Sequence, residues 1–323
     1  MCTAISVKCG DHYFGRNLDY HCDFGEKVVI TPRNYRFNFT NGSICDNHYA
    51  IIGVALDYKN YPLYFDATNE KGLSIAGLNF PGYAQYNERI EGKENIASFE
   101  FIPWILSQCE TVKDTLKYLK SINITNDAFD SKMTPTPLHW IIADGEKTVT
   151  IEQTNKGIEV YENPVGVLTN SPPFDMQMIN LCNYMMLSSD KSINSFADKI
   201  SLVPYGKGLG AFGLPGDCSP MSRFVRASFQ KLNCEYGKTE NEIVNNFFHI
   251  LNSVYHISGS VRESEGFQIT NYSSCCNTSK GIYYYTTYYN SSINAVDIRR
   301  ENLNSDKLIT YDFIKKDSIN IQN

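Results

Sequence analysis

The sequence predicts an α+β protein in which antiparallel sheets are covered by helices. Three observations lead there. Short apolar runs fill the first eighty residues and return near the end of the chain. Helical periodicity is confined to blocks between those runs. The links between successive strands are too short for the crossovers of a parallel, doubly wound sheet. Hydrophobic residues make up 42% of the 323 positions, enough for a large core. No linker, charge run or internal repeat divides the chain, so one domain over residues 1–323 is expected.

Taken in order, "TAISVK" and "HYFGRNL" flank a Cys9-Gly10-Asp11 turn and read as a hairpin. "KVVITP", "YAIIGVAL", "LYFDAT" and "GLSIAGL" follow as short strands. Residues 98–121 predict two helices broken near 109–111, because Phe99, Ile102, Ile105 and Leu106 recur at helical spacing. "LHWIIAD", "TVTIEQ" and "GIEVYE" are strands again. Helices resume over 175–186, 222–232 and 241–254. "QITNYSSC", "GIYYYTTYY" and "INAVDI" close the chain as strands rich in aromatic side chains that pack a sheet. The segment 188–216 is rich in Ser, Asn and Gly and fits neither a sheet nor a helix, so it is expected to reach a neighbouring subunit.

Composition excludes several classes of function. The formal charge is -6 and no basic block of five or more exists, so nucleic acid is not an expected partner. No stretch approaches membrane-spanning length, and no basic segment followed by an apolar run opens the chain; a cytoplasmic protein is expected. In that reducing setting the ten cysteines are read as free thiols, with Cys275 and Cys276 as neighbours on opposite faces of a strand. There is no C-x-x-C pair, no P-loop and no dinucleotide fingerprint, so neither metal nor cofactor is expected. The six histidines form no triad by spacing, and His139 in "PLHWII" reads as a core histidine.

Chemistry is suggested at the chain start. Cys2 follows Met1, and cysteine is small enough for methionine removal. The thiol would then lie beside its own α-amine, whose reference pKa of about 7.7–8.0 suits a general base near neutral pH. In "YFGRNLDY", Arg16 and Asp19 sit on the strand that the hairpin puts beside Cys2: a guanidinium favours thiolate, and a carboxylate would hold the amine. Gly15 would let backbones approach closely. Asn79 in "GLNFPGY" and Asn170 in "GVLTNSPPFD" both end apolar strands and are candidate oxyanion donors. In "LPGDCSPMSRFVRASF", Ser219 and Pro220 read as N-cap and first helical residue, which leaves Arg223 in the first turns, against the helix dipole. Each feature also has an ordinary counterpart: a packed cysteine, a surface Arg–Asp pair, asparagines at turns, an arginine paired with Asp217.

Together these residues resemble the choloylglycine hydrolase family of N-terminal nucleophile hydrolases, which includes bile salt hydrolases and penicillin V acylases. The resemblance runs through "MCTAI", "YFGRNLDY", "EKVVITPRNY", "NEKGLSIAGLNFPGYA", "PLHW", "GVLTNSPPFD", "GLPGDCSPMSRFVRASF", "FFHILN" and "KGIYYYTTY". It implies an αββα four-layer sandwich, amide hydrolysis without a cofactor, a cytoplasmic location and a homotetramer. It also implies roles: Cys2 as nucleophile of a mature chain 2–323, Arg16 beside the thiol, Asp19 on the amine, Asn79 and Asn170 at the oxyanion hole, and Arg223 completing the polar network. Asparagine at position 79, where penicillin V acylases tend to carry tyrosine, implies glycine- or taurine-conjugated bile salts as substrates. By rough register the loops lining the pocket offer Leu18, Tyr58, Phe65, Phe129 and Met133, which suit a flat steroid but also a phenoxyacetyl group. The other readings are a penicillin V acylase, a class II glutamine amidotransferase (disfavoured by Thr3 where glycine is usual), and a non-catalytic redox-thiol or scaffold protein, against which the six polar positions count together.

Overall fold

A computed structural model describes residues 1–316, 319 and 321–323. Two large sheets organise it. The first has six strands in the spatial order Val167–Leu168, Cys2–Cys9 (β1), Asp11–Tyr20 (β2), Ile269–Asn277, Ile282–Thr287, Asn290–Asp297. The second has eight, in the order Gly157–Glu162, Thr148–Thr154, Leu138–Ala143, Ser74–Asn79, Tyr61–Asn69, Ile51–Tyr58, Lys27–Thr31 (β3), Ile309–Asp312. Every pairing within both is antiparallel, as the short connections predict. The strand from the chain's end thus closes the second sheet beside β3.

Strand periodicity explains the layers. Alternate residues of the second sheet go to opposite cores. Val28, Ile30, Ile52, Val54, Ala76, Leu78 and Ile141 face the first sheet, where they meet Ala4, Phe14 and Leu18. Val29, Ile51, Ile75, Trp140 and Ile142 face outward onto the helix Phe101–Gln108 (α1), whose Phe101, Ile102, Ile105 and Leu106 are buried. The second helix, Val112–Tyr118 (α2), starts after the break at Cys109, with Thr111 as N-cap accepting the Asp114 N–H. Phe174–Leu181 (α3), Pro220–Asn233 (α4) and Glu240–Asn252 (α5) lie on the other side, α4 against β1 and α5 against strand Ile269–Asn277. Helices therefore cover both outer faces of a pair of sheets, giving the α+β sandwich. Helix ends follow the local chemistry: Thr239 and Glu242 form a capping box for α5, and Ser219 caps α4 ahead of Pro220.

The segment 188–216 carries one short helical turn, Leu209–Ala211, and leaves Ile193, Phe196, Val203, Tyr205 and Phe212 largely exposed. All ten cysteines are free thiols.

Candidate active site

β1 begins at Cys2 and runs between Val167–Leu168 and β2, so its first residue is buried in the first sheet at 5% exposure. The hairpin register sets Cys2 opposite Leu18, which brings Arg16 and Asp19 to the same end. Gly15 is required there. A Cβ at that position would lie 1.9 Å from the Ser274 carbonyl oxygen on the neighbouring strand.

Cys2 is tied down through its backbone. Its N–H donates to Asn170 Oδ1 at 2.8 Å, and its carbonyl accepts from Arg223 Nη1. Arg223 also donates to Thr3 Oγ1 at 2.7 Å, to Asn170 Oδ1 at 2.8 Å and, through Nε, to the Cys218 carbonyl at 3.0 Å. It lies near the start of α4, as expected, and is fully buried, pointing at the chain's first residues. Asp217 is not its partner: that carboxylate accepts instead from Ser219 N–H and Ser222 Oγ. Burial lowers the Arg223 pKa, against the pull of Asp19 and Cys2.

The two strand-end asparagines meet. Asn170 Nδ2 donates to the Asn79 carbonyl at 2.7 Å, and its other amide hydrogen has no acceptor among the described residues. The Asn170 backbone is held in turn, its carbonyl accepting from Gln177 Nε2 at 2.6 Å. One residue earlier, the Thr169 carbonyl takes a bond from His139 Nε2 at 2.9 Å. His139 is a buried core histidine, as its apolar strand predicts: Nδ1 meets Glu152 at 3.0 Å and the ring stacks on Phe80, centroids 4.2 Å apart. It thus backs both asparagines' neighbours, Thr169 and Phe80.

Arg16 Nη1 donates to the carbonyls of Phe65 at 2.9 Å and Gly77 at 2.6 Å, whereas its buried Nη2 has no partner among the described residues. A guanidinium with a spare, desolvated donor suits an anion. Burial opposes its charge, but Cys2, Tyr272, Asp66 and Asp19 hold its pKa above the usual arginine value, Cys2 most strongly of these. Asp19 is 1% exposed. Burial would raise its pKa, yet the His256 imidazole, Arg223 and the N-terminal ammonium lower it below the ordinary carboxylate range. The Met1 amine donates to the Asp19 backbone carbonyl at 2.5 Å and lies 3.4 Å from Gln268 Oε1. Two buried guanidinium groups, Arg16 and Arg223, and the Asp19 carboxylate thus surround the first residues of β1.

The loop residues divide. Leu18 is opposite Cys2 and Phe65 lends its carbonyl to Arg16, so both lie by the polar network. Tyr58, Phe129 and Met133 gather elsewhere, around the turn at 59–60. Phe129 packs on Tyr58 and Tyr61 at 5.5 Å, its N–H bonds the Met133 carbonyl, and Tyr58 bonds Asp130. A cavity of about 380 Å³ opens beside Phe129, lined also by Tyr61, Phe99, Arg36 and Glu100; none of the six polar residues reaches it. Among the described residues no cluster of His, Cys, Asp or Glu could hold a metal ion, and no helix is long and apolar enough to cross a membrane.

Sequence reasoning missed His256, Thr270 and Gln268. All three lie on the chain's last third and reach the site only through the pairing of β2 with strand Ile269–Asn277, a contact with no local signal.

Comparison with known proteins decides the family. The profile of the linear amide C–N hydrolases, choloylglycine hydrolase family, matches residues 2–311. The chain belongs to the choloylglycine hydrolase family. It is 49% identical over 312 residues to a bile salt hydrolase/transferase of Lactiplantibacillus plantarum, covering 96% of each chain. It is 40% identical to a bile salt hydrolase/transferase of Clostridium perfringens over 99% of each. Among solved structures, a variant of the conjugated bile acid hydrolase from Clostridium perfringens superposes over the whole of both chains with a TM-score of 0.92 at 39% identity. The penicillin V acylase of Agrobacterium tumefaciens shares the fold, with a TM-score of 0.77 at 17% identity over 97% of this chain and 91% of its own.

Proposed function

We propose that this family member hydrolyses the amide joining a bile acid to glycine or taurine, through a thioester on Cys2. One observation carries the reading: the Cys2 nitrogen is anchored on Asn170 Oδ1 at 2.8 Å, the same oxygen accepts from Arg223 at 2.8 Å, and the charges of Arg16 and Asp19 lie close by. Loss of Met1 converts that nitrogen into an α-amine without moving it. The amine takes the thiol proton, and the thiolate attacks the amide carbonyl. Arg16 lends its spare N–H to the thiolate. The oxyanion is held by Asn79 and by the free amide hydrogen of Asn170. The protonated amine, kept in line by Asp19, gives its proton to the leaving nitrogen, and glycine or taurine departs. Water, deprotonated by the same amine, then cleaves the thioester.

The substrate class follows from the relatives, whose names specify bile salts at 49% and 40% identity, and from Asn79. Both are also named transferases, and acyl transfer to an amine in place of water uses the same thioester. Leu18 and Phe65 are the wall residues next to the thiol; Tyr58, Phe129 and Met133 form an outer group for the far end of a long acyl part. The exposed apolar side chains of 188–216 support a homotetramer, and the enzyme is proposed to be cytoplasmic. A single domain over residues 1–323 belongs to the same proposal, supported by strands from both halves of the chain sharing the two sheets.

The test is hydrolysis of glycocholate and penicillin V side by side. A larger kcat/KM for glycocholate is expected. A larger value for penicillin V overturns the substrate reading and leaves the nucleophile reading standing.

A further inference from the structure

The Asp19 carboxylate is approached by two groups from the chain's last third. Where β2 pairs with strand Ile269–Asn277 the register shifts between Thr270 and Tyr272, so Asn271 is an extra residue. A bulge of this kind bends a strand and re-aims a side chain. Thr270, opposite Asp19, donates its hydroxyl to Asp19 Oδ1 at 2.7 Å. The same hydroxyl accepts the His256 N–H at 2.8 Å, and Thr270 N–H donates to the His256 carbonyl at 3.1 Å. These two backbone links fix His256 beside the carboxylate, with Nδ1 3.1 Å from Oδ2 and both side chains 0% exposed. The distance is that of a hydrogen bond although the alignment falls short of one. Among the described residues neither ring nitrogen, nor Oδ2, has any other partner. Buried polar groups of native proteins are rarely left unpaired, and among the described residues these are the groups that face each other.

We propose that His256 is a positioning residue of the N-terminal amine. Its Nδ1–H donates to Asp19 Oδ2 and sets the plane and charge of the carboxylate, which in turn orients the α-amine of Cys2. The arrangement is the familiar one of a base steered by a third group, with the base supplied by the backbone of the nucleophile itself. Thr270 holds one carboxylate oxygen and His256 the other, so the carboxylate cannot rotate while the amine gains and loses its proton. The inference rests on the amine acting as base. If Cys2→Ala retained activity that reading would fail, whereas a fully active His256 variant would sink only the present one.

The experiment compares His256→Leu, which fills the space without a donor, with His256→Asn, whose Nδ2 takes the place of Nδ1. With intact mass showing Met1 removed and melting unchanged, the leucine variant is expected to lose about ten- to a hundredfold in kcat, the range for a misplaced catalytic group, with KM within about threefold. The asparagine variant should recover most of it. Wild-type kcat in the leucine variant, or an asparagine variant no better than leucine, overturns the assignment. Nitrogen-15 spectra of histidine-labelled wild-type enzyme give an independent readout that needs no variant to fold. A proton on Nδ1 of His256 is expected, and a ring protonated at Nε2 alone refutes it.

Discussion

Replacing Arg223 by alanine removes one side chain and four hydrogen bonds: to the Cys2 carbonyl, Thr3 Oγ1, Asn170 Oδ1 and the Cys218 carbonyl. The consequences for fold and for rate separate. Each buried acceptor left without a donor costs about 1–3 kcal/mol, but the desolvated charge of a fully buried guanidinium is relieved at the same time. The net loss of stability is therefore a few kcal/mol at most, and the two sheets should persist. The rate suffers more. Asn170 keeps the Cys2 N–H on its Oδ1 and its own bond to the Asn79 carbonyl but loses one of three ties, so the hydrogen proposed for the oxyanion is held less firmly in line. Removing one such donor costs about 10²–10³-fold in kcat, or roughly 3–4 kcal/mol of transition-state stabilisation. Glycine release from saturating glycocholate, beside a melting curve, measures both. Arg223→Lys should rescue little, because one ammonium cannot span acceptors on three separate segments. Wild-type kcat in a folded Arg223→Ala protein would show that the network around Cys2 is only structural.

Four further outcomes are expected. A form with an uncleavable N-terminal extension should fold yet be nearly inactive, since an amide nitrogen cannot take the thiol proton; general-base assistance alone is about 10²–10⁴-fold, and intact mass beside activity checks it. Cys2→Ala should be inactive and Cys2→Ser much weaker than wild type. Burial, opposed by Asp144 and aided by Lys8 and Lys231, lowers the His12 imidazole from 6.5 to about 4. The unfolded chain therefore binds the extra proton between those values, so His12 contributes about 3 kcal/mol that is complete above pH 6.5 and is lost as pH falls towards 4. Melting temperatures across that window should drop more steeply for wild type than for His12→Gln, and parallel curves would contradict the assignment. Gly15→Ala should destabilise the protein by about 1–3 kcal/mol or more in urea unfolding, because the new Cβ has only the Ser274 backbone to displace.

The strands and helices were legible because their signals are local. The apolar spacing of α1, the Ser219-Pro220 start of α4 and the turn after Cys9 lie within a few residues of what they specify. Arg223 was legible for a subtler reason: it offends the helix dipole, and the offence is explained by four acceptors that lie outside the helix. The meeting of Asn79 with Asn170 could not be read, since nothing near either residue announces the other; only the family resemblance grouped them. The same holds for His256, whose partner is 237 positions away along the chain, read from the residue numbers. The loop residues fared unevenly. Leu18 is fixed by hairpin register, while Tyr58, Phe129 and Met133 depend on how two long connections fold against one turn.

The seating of β1 has a consequence for timing. The Met1–Cys2 peptide bond leads straight into a strand flanked on both sides, with Cys2 buried and the Met1 amine already engaged by the Asp19 carbonyl. An aminopeptidase needs its substrate extended and loose. Both flanking partners are made later, β2 within the next ten or so residues but Val167–Leu168 only when half the chain is complete. On the proposed mechanism, methionine excision would then be confined to an interval during synthesis, after the first residues emerge from the ribosome and before the sheet closes over them. Expression conditions that hasten folding or saturate the host peptidase would then yield a mixture of two species differing by one residue, only one of them competent under the proposed mechanism, and a specific activity that varies between batches would record the ratio.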